Sequence, residues 1–246
     1  MNAIFGILAK PLALILTALY DLTNSYGISI IILTVAVKII LYPFYKKQML
    51  STMGMTELGP KIQALQRQYA GDSETLNIKM QELYKEEGVN PAAGCLPMVI
   101  QMVIIMGLFT LLRSPLSYIK TPKMIFAIHE SFLWINDLSQ SDPWVLPVLA
   151  GIATFVSFYL SSKNGSMPGG TGPGQGKVMT ALMKYGFPIM IIWLAKTYAA
   201  GLASYWVLSQ FIQIFYNLRF NQIKEKMNKE KEAKGKKHSK RKTSRA

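Results

Sequence analysis

The chain has 246 residues, half of them apolar and only 16% charged, with a formal net charge of +14. The apolar residues fall in blocks about as long as a bilayer is thick, roughly 20 residues, which argues against a water-soluble core and for membrane spans. Eleven Lys and Arg against three acids between Lys224 and Arg245 localise much of the positive charge, so a uniformly basic nucleic-acid-binding globule is excluded, and the single Cys95 rules out an intramolecular disulfide.

Residues 3–20 are apolar except for Lys10, beside Pro11. No small-x-small cleavage site precedes Asp21, so residues 1–26 are expected to persist as a helix lying in the interface or crossing the membrane. The first span is expected at 27–45. It is rich in Ile, Leu and Val, carries Lys38, and ends at Pro43 with the pair Lys46 and Lys47.

Residues 48–90 are hydrophilic. Pro60 opens a helix with Ile62, Leu65 and Tyr69 near one face, and Gly71-Asp72 breaks it. Leu76, Met80, Leu83 and Tyr84 then mark a second amphipathic helix closed by Gly88. Two such helices with a tight turn predict a helical hairpin standing in water.

Further spans are expected at 91–112, 143–161, 179–196 and 202–220. Residues 113–142 form a loop in which Phe132 and Trp134 suggest interfacial contact. Residues 163–177 are a Gly/Pro-rich linker, and 221–246 a disordered basic tail. The predicted fold class is thus an all-α membrane protein with five transmembrane helices. Basic-residue bias places the tail, the hairpin and the linker in the cytoplasm and the 113–142 loop outside.

A lysine inside a span costs about 2.5–3.5 kcal/mol on translocon scales, which makes Lys38 a functional candidate, with snorkelling to the headgroups as the competing reading. Thr34, Lys38 and Tyr42 share one helix face at i, i+4 and i+8. Trp206, Gln210, Gln213 and Asn217 share another in the last span, and Thr154, Ser157 and Ser161 a third, while Gln101 is a lone amide in the second span. Each stripe alone reads as helix–helix hydrogen bonding; three stripes and a cation together fit a shared water-accessible cavity.

Enzyme motifs fail. Gly172 to Lys177 looks like a phosphate loop, but Thr171 occupies the place of its first glycine and Val178 that of its Ser/Thr. His129-Glu130 lacks a second zincin histidine, because Leu133 stands there. No cofactor is implied. The tail's Lys236, Lys237, Lys240, Arg241 and Lys242 suit anionic lipid or, alternatively, ribosomal RNA.

The order of parts resembles the YidC/Oxa/Alb insertases, with the short, Gram-positive type of bacterial YidC as the nearest pattern. The resemblance rests on the cation-bearing span, the hairpin, and the string Asn90-Pro91 through Gly94-Cys95-Leu96-Pro97 to Gln101. It also rests on Phe132-Leu133-Trp134, Asp137-Leu138, Asp142-Pro143 and Gly201-Leu202-Ala203-Ser204-Tyr205-Trp206. It implies a five-helix core around a hydrophilic groove in the bacterial cell membrane, with Lys38 where the family usually has arginine and with Gln101 and Trp206 lining the groove. It also implies nascent membrane proteins as cargo, with the Sec translocon and the ribosome as further partners, and no enzymatic step. The alternatives are a small-solute transporter or channel, although the internal repeat and paired midplane charges common in transporters are not visible, and a structural assembly factor.

Overall fold

The computed structural model describes the backbone of residues 2–89, 96–113, 117–119, 121–163 and 175–243, and side chains within those ranges except at 2–8, 48–56, 96–101, 113, 175–177, 228 and 230–243. The described residues are helical apart from turns and one isolated bridge between Phe132 and Ile135. In chain order the helices are α1 (Asn2–Thr23), α2 (Tyr26–Glu57), α3 (Gly59–Gln68), α4 (Ser73–Glu86), α5 (Leu96–Arg113), α6 (Pro122–Ala127), α7 (Val145–Lys163), α8 (Gln175–Ala181), α9 (Phe187–Thr197) and α10 (Ala200–Thr243). A single π-helical turn, Leu182–Gly186, joins α8 to α9 without a break.

Among the described residues three stretches are long and apolar enough to cross a membrane, Tyr26–Lys47, Val145–Lys163 and Val178–Thr197, and Met102–Leu112 is a shorter apolar run. Over 203–220 the apolar residues of α10 are interleaved with Gln210, Gln213 and Asn217. Leu14, Ile39, Ile40, Ile152, Ile189 and Trp193 are exposed on the helix surfaces, where hydrocarbon rather than water suits them.

α1 lays Ala9, Leu12, Ala13, Leu16 and Tyr20 against α5 and α2. The spacing i, i+3, i+4, i+7, i+11 is one helix face. α7 packs on α9 and α10, and α10 also on α2. The α7–α9 approach depends on Gly151, where a Cβ would lie 2.4 Å from Ile192 Cγ1.

The hairpin forms as the sequence signals ask. Pro60 sits at the start of α3, where its missing N–H is no loss. The Asp72 carboxylate caps α4 by accepting from Thr75 N–H at 3.0 Å, and its own pKa is lowered chiefly by hydrogen bonding to Thr75. Gly71 and Gly88 take positive φ, +107° and +64°, at the two turns. Leu58, Leu76, Met80 and Tyr84 make a small core of its own, with Ile62, Leu65, Tyr69 and Val89 packed around it.

Two helices run on past the segments expected of them. The stretch apolar enough to cross a membrane ends at Lys47, close to the expected 45, while α2 itself runs on through Pro43 to Glu57, which carries the helix toward the hairpin. Past residue 220, where the sequence reading expects a disordered basic tail, the backbone of α10 continues as helix to Thr243. Between 221 and 243 Lys, Glu, Gln, Ala and Met dominate, all good helix formers, and their propensity outweighs the self-repulsion of the charges. At 1.5 Å per residue the 44-residue α10 is about 66 Å long, far more than a bilayer needs. The linker segment 164–174 and the string 90–95 lie outside the described residues.

Candidate functional site

The polar stripes of α2 and α7 each meet that of α10, which packs on both helices. On α2, Thr34 is fully buried, with its hydroxyl donating to Ile30 O at 2.6 Å, and Lys38 is only 7% exposed. Lys38 therefore points into protein rather than at the hydrocarbon-facing surface. Tyr216 of α10 donates its hydroxyl to Lys38 O at 3.2 Å. The Tyr216 ring lies between Tyr42 and Tyr45, with centroids 5.5 and 5.1 Å away. Tyr42 remains 40% exposed at the edge of this seam.

A relay of hydrogen bonds crosses all three helices. Gln213 donates to the Tyr45 hydroxyl, Tyr45 donates to Asn217 Oδ1 at 3.1 Å, and Asn217 Nδ2 donates to Ser157 O at 3.1 Å. Higher up, Trp206 Nε1 donates to Thr154 Oγ1 at 3.0 Å. So the side chains of Trp206, Gln213, Asn217 and Thr154 take the bland role in part, tying helices together, while Ser157 enters through its main-chain carbonyl. Gln210 is half-buried on the same face of α10, and Ser161 half-buried on α7. Tyr45 and Tyr216 escaped sequence reasoning, because an aromatic in a span carries no polar signal until its hydroxyl is given a partner.

The side chain of Gln101 lies outside the described residues, as do those of Lys236, Lys237, Lys240, Arg241 and Lys242, whose backbone is part of α10. Leu83 is buried and Leu65 half-buried in the hairpin, while Pro60 is exposed.

A second cluster closes one end of the bundle. The loop between α6 and α7 folds over the start of α2 and α10, and we call it the cap. Glu130 accepts from the Tyr20 hydroxyl of α1 with one oxygen and from the Tyr26 N–H, the first residue of α2, with the other at 2.8 Å. A carboxylate at a helix N-terminus satisfies an orphan donor and the helix dipole together. Asp142 accepts from Trp134 Nε1 at 2.9 Å and from the N–H groups of Trp144 and Val145 at 2.9 and 2.8 Å, capping α7. Burial pushes the Asp142 carboxyl up, but the donors of Trp144, Trp134, Val145 and Leu146 outweigh it and hold it below the ordinary carboxylate range.

Gln140 and Leu138 carbonyls accept from the N–H groups of Ala200 and Gly201 at 2.7 and 2.9 Å, so the cap also holds the start of α10. The Phe132 ring packs where any side chain at position 27 would stand: a Cβ on Gly27 would be 2.3 Å from it. The Leu133 backbone is left-handed (φ 54°) at the turn tip, which puts Leu133 and Trp134 on the surface. Glu130's role was another residue that sequence reasoning missed; the available signal was an acid flanked by spans.

Ser139, His129 and Asp137 also come together in the cap. Ser139 Oγ and Asp137 Oδ2 both lie 3.0 Å from the same ring nitrogen, His129 Nδ1. A hydrolase relay needs nucleophile and acid on opposite nitrogens, so this constellation is not one. Among the described residues no group of three or more metal-ligating side chains is present.

Residues 18–231 match the family described as 60Kd inner membrane protein. The chain is similar to the protein named membrane protein insertase YidC of Fusobacterium nucleatum, 37% identical over 217 residues that cover 87% of this chain and 95% of that protein. It is similar to proteins of the same name from Wolinella succinogenes, 35% identical over 88% of this chain, and Lawsonia intracellularis, 33% identical over 85%. The matched region spans only 37% and 38% of those two longer relatives. Among solved structures it is similar to an active YidC insertase crystal structure with its first transmembrane domain resolved, with TM-score 0.59 and 29% identity, covering 87% of this chain and 45% of that one.

Proposed function

Because the chain belongs to the YidC/Oxa/Alb insertase family, we propose that it inserts membrane proteins into the bilayer, and that the seam of α2, α7 and α10 is where cargo is received. The observation that carries this reading is the burial of Lys38, at 7% exposure, on a helix whose Tyr45 is hydrogen-bonded to polar side chains of α10 that reach on to α7. A buried cation disfavours an apolar neighbour and favours an acidic or strongly polar one. A nascent chain that must move a polar, acidic tail through hydrocarbon meets the complementary problem. Pairing the two lowers the desolvation cost on both sides.

In this reading five helices cross the bacterial cell membrane: α2, α5, α7, the continuous α8–α9 helix and α10. A hydrophilic groove beside Lys38 opens to the cytoplasm and to lipid. The cap lies outside and blocks ion flow, while the hairpin α3–α4 and the end of α10 lie in the cytoplasm. Cargo enters past the hairpin, its tail is held near Lys38, Gln101, Trp206 and Gln210, and its apolar helix moves into lipid by its own hydrophobicity. No covalent bond changes, so the activity is not enzymatic. The end of α10 meets ribosome or anionic lipid, and action alone or beside the Sec translocon both fit.

The test is site-specific photocrosslinking to a stalled, single-span nascent chain. Probes at Trp206 and Gln101 are expected to capture it, and a probe at the exposed, cap-side Leu133 is not. Capture from Leu133 alone, or solute uptake by proteoliposomes without insertion, would overturn the proposal in favour of a different cargo route or of transport.

A further inference from the structure

α7 carries a second chemical feature on the face turned away from Lys38. Thr154 and Phe158 look toward Trp206 of α10 and toward Phe187, whereas Phe155 and Tyr159, at i and i+4, look the other way. Lys184 reaches this face from the π-helical turn. Its Nζ lies 4.3 Å from the centre of the Tyr159 ring and 5.3 Å from that of Tyr185. Phe155 completes the frame, with its ring 6.1 Å from Tyr159 and 6.0 Å from Tyr185. Tyr159 and Tyr185 are 45% and 56% exposed, so the cluster is open on its outer side.

The depth of this cluster is informative. Tyr159 stands four residues before the end of α7 at Lys163, and Lys184 six residues after Val178, where the apolar stretch begins. At 1.5 Å per residue both lie roughly 6–9 Å from the helix ends, at the boundary of headgroups and acyl chains. Tyr rings and snorkelling lysines favour that level. π-helical turns are rare and concentrate at functional sites. Here the extra residue in the turn sets Lys184 and Tyr185 together against the α7 aromatics.

We infer that Lys184, framed by Tyr159 and Tyr185, binds the phosphate of an anionic phospholipid headgroup. The ammonium supplies the charge and the two phenol hydroxyls supply donors. Lys163, exposed at the end of α7, adds to the positive field and disfavours headgroups that carry their own ammonium. The inference rests on α7 and the α8–α9 helix crossing the bilayer, not on insertion itself.

Native mass spectrometry of the full-length chain with phosphatidylglycerol or phosphatidylcholine tests it. Lys184→Gln is expected to weaken the first phosphatidylglycerol about fivefold, the effect of one well-placed lysine at a membrane surface. Lys184→Arg should retain the lipid, Tyr159→Phe should lose a smaller part, and phosphatidylcholine should be indifferent to all three. Lys85→Gln, exposed at the end of α4 in the hairpin, controls for net charge. Wild-type lipid retention in Lys184→Gln, or an equal loss in Lys85→Gln, would overturn the site. If Lys184→Gln loses lipid while the wild type inserts nothing, the insertase reading fails and this one stands; the reverse pattern sinks this one alone.

Discussion

The cap and the seam use polar groups in opposite ways. In the cap, the carboxylates of Glu130 and Asp142 are spent on holding ends of chain: the N-termini of α2 and α7, the Tyr20 hydroxyl and the Trp134 indole. In the seam, neutral amides and phenols link α2, α7 and α10, and the ionised group, Lys38, is buried beside them. The contrast teaches that the charges of the cap serve geometry, while the seam buries a charge among neutral polar groups. Substitutions in the cap should therefore act on stability, and the substitution of Lys38 on cargo.

The strongest way to break this comparison is Glu130→Ala. It leaves the Tyr26 N–H and the Tyr20 hydroxyl short of partners at a buried helix start, and should cost about 3 kcal/mol. Thermal unfolding in detergent should show it, with a matching ion leak in proteoliposomes. An unchanged melting temperature would remove the clasp from the account.

Asp142→Ala comes next, at about 1–2 kcal/mol, through the lost cap of α7. Its pH dependence has a fixed sign. The folded carboxyl titrates below its ordinary value, so its contribution is complete above about pH 4 and fades as pH falls through the lowered folded value. Stability measured from pH 7 to 5 should not report this residue. A loss over that range that Asp142→Ala abolishes would contradict the sign.

The smallest effect sharpens the other side. Asn217→Ala removes one link from α10 to the Ser157 carbonyl and one acceptor from Tyr45, and should cost about 1 kcal/mol, since hydrogen bonds within membrane bundles are individually modest. If it unfolded the protein as Glu130→Ala does, the seam would be scaffold like the cap.

Much of this was legible in the residues, for identifiable reasons. Helix periodicity alone puts Thr154 with Ser157, and Trp206 with Gln213 and Asn217, because 3.6 residues per turn is fixed by the backbone. Which stripes face each other is not a local property, so the contacts of Thr154 with Trp206 and of Asn217 with Ser157 needed coordinates. The Glu130 clasp joins residues over a hundred positions apart and has no local signature. At the end of α10 two local signals oppose each other, the net charge of the segment and the helix propensity of its Lys, Glu and Ala residues, and composition alone does not rank them.

The most direct measurement replaces Lys38 with Met, Ala and Arg in cells depleted of the wild-type chain and follows insertion of a single-span substrate whose tail carries acids or none. Retention of function by Arg, with a loss of about tenfold in Met and Ala for the acidic tail alone, is predicted, the equivalent of roughly 1.4 kcal/mol. Equal insertion of the acidic tail by all four proteins would contradict the central claim that a buried positive charge receives the cargo.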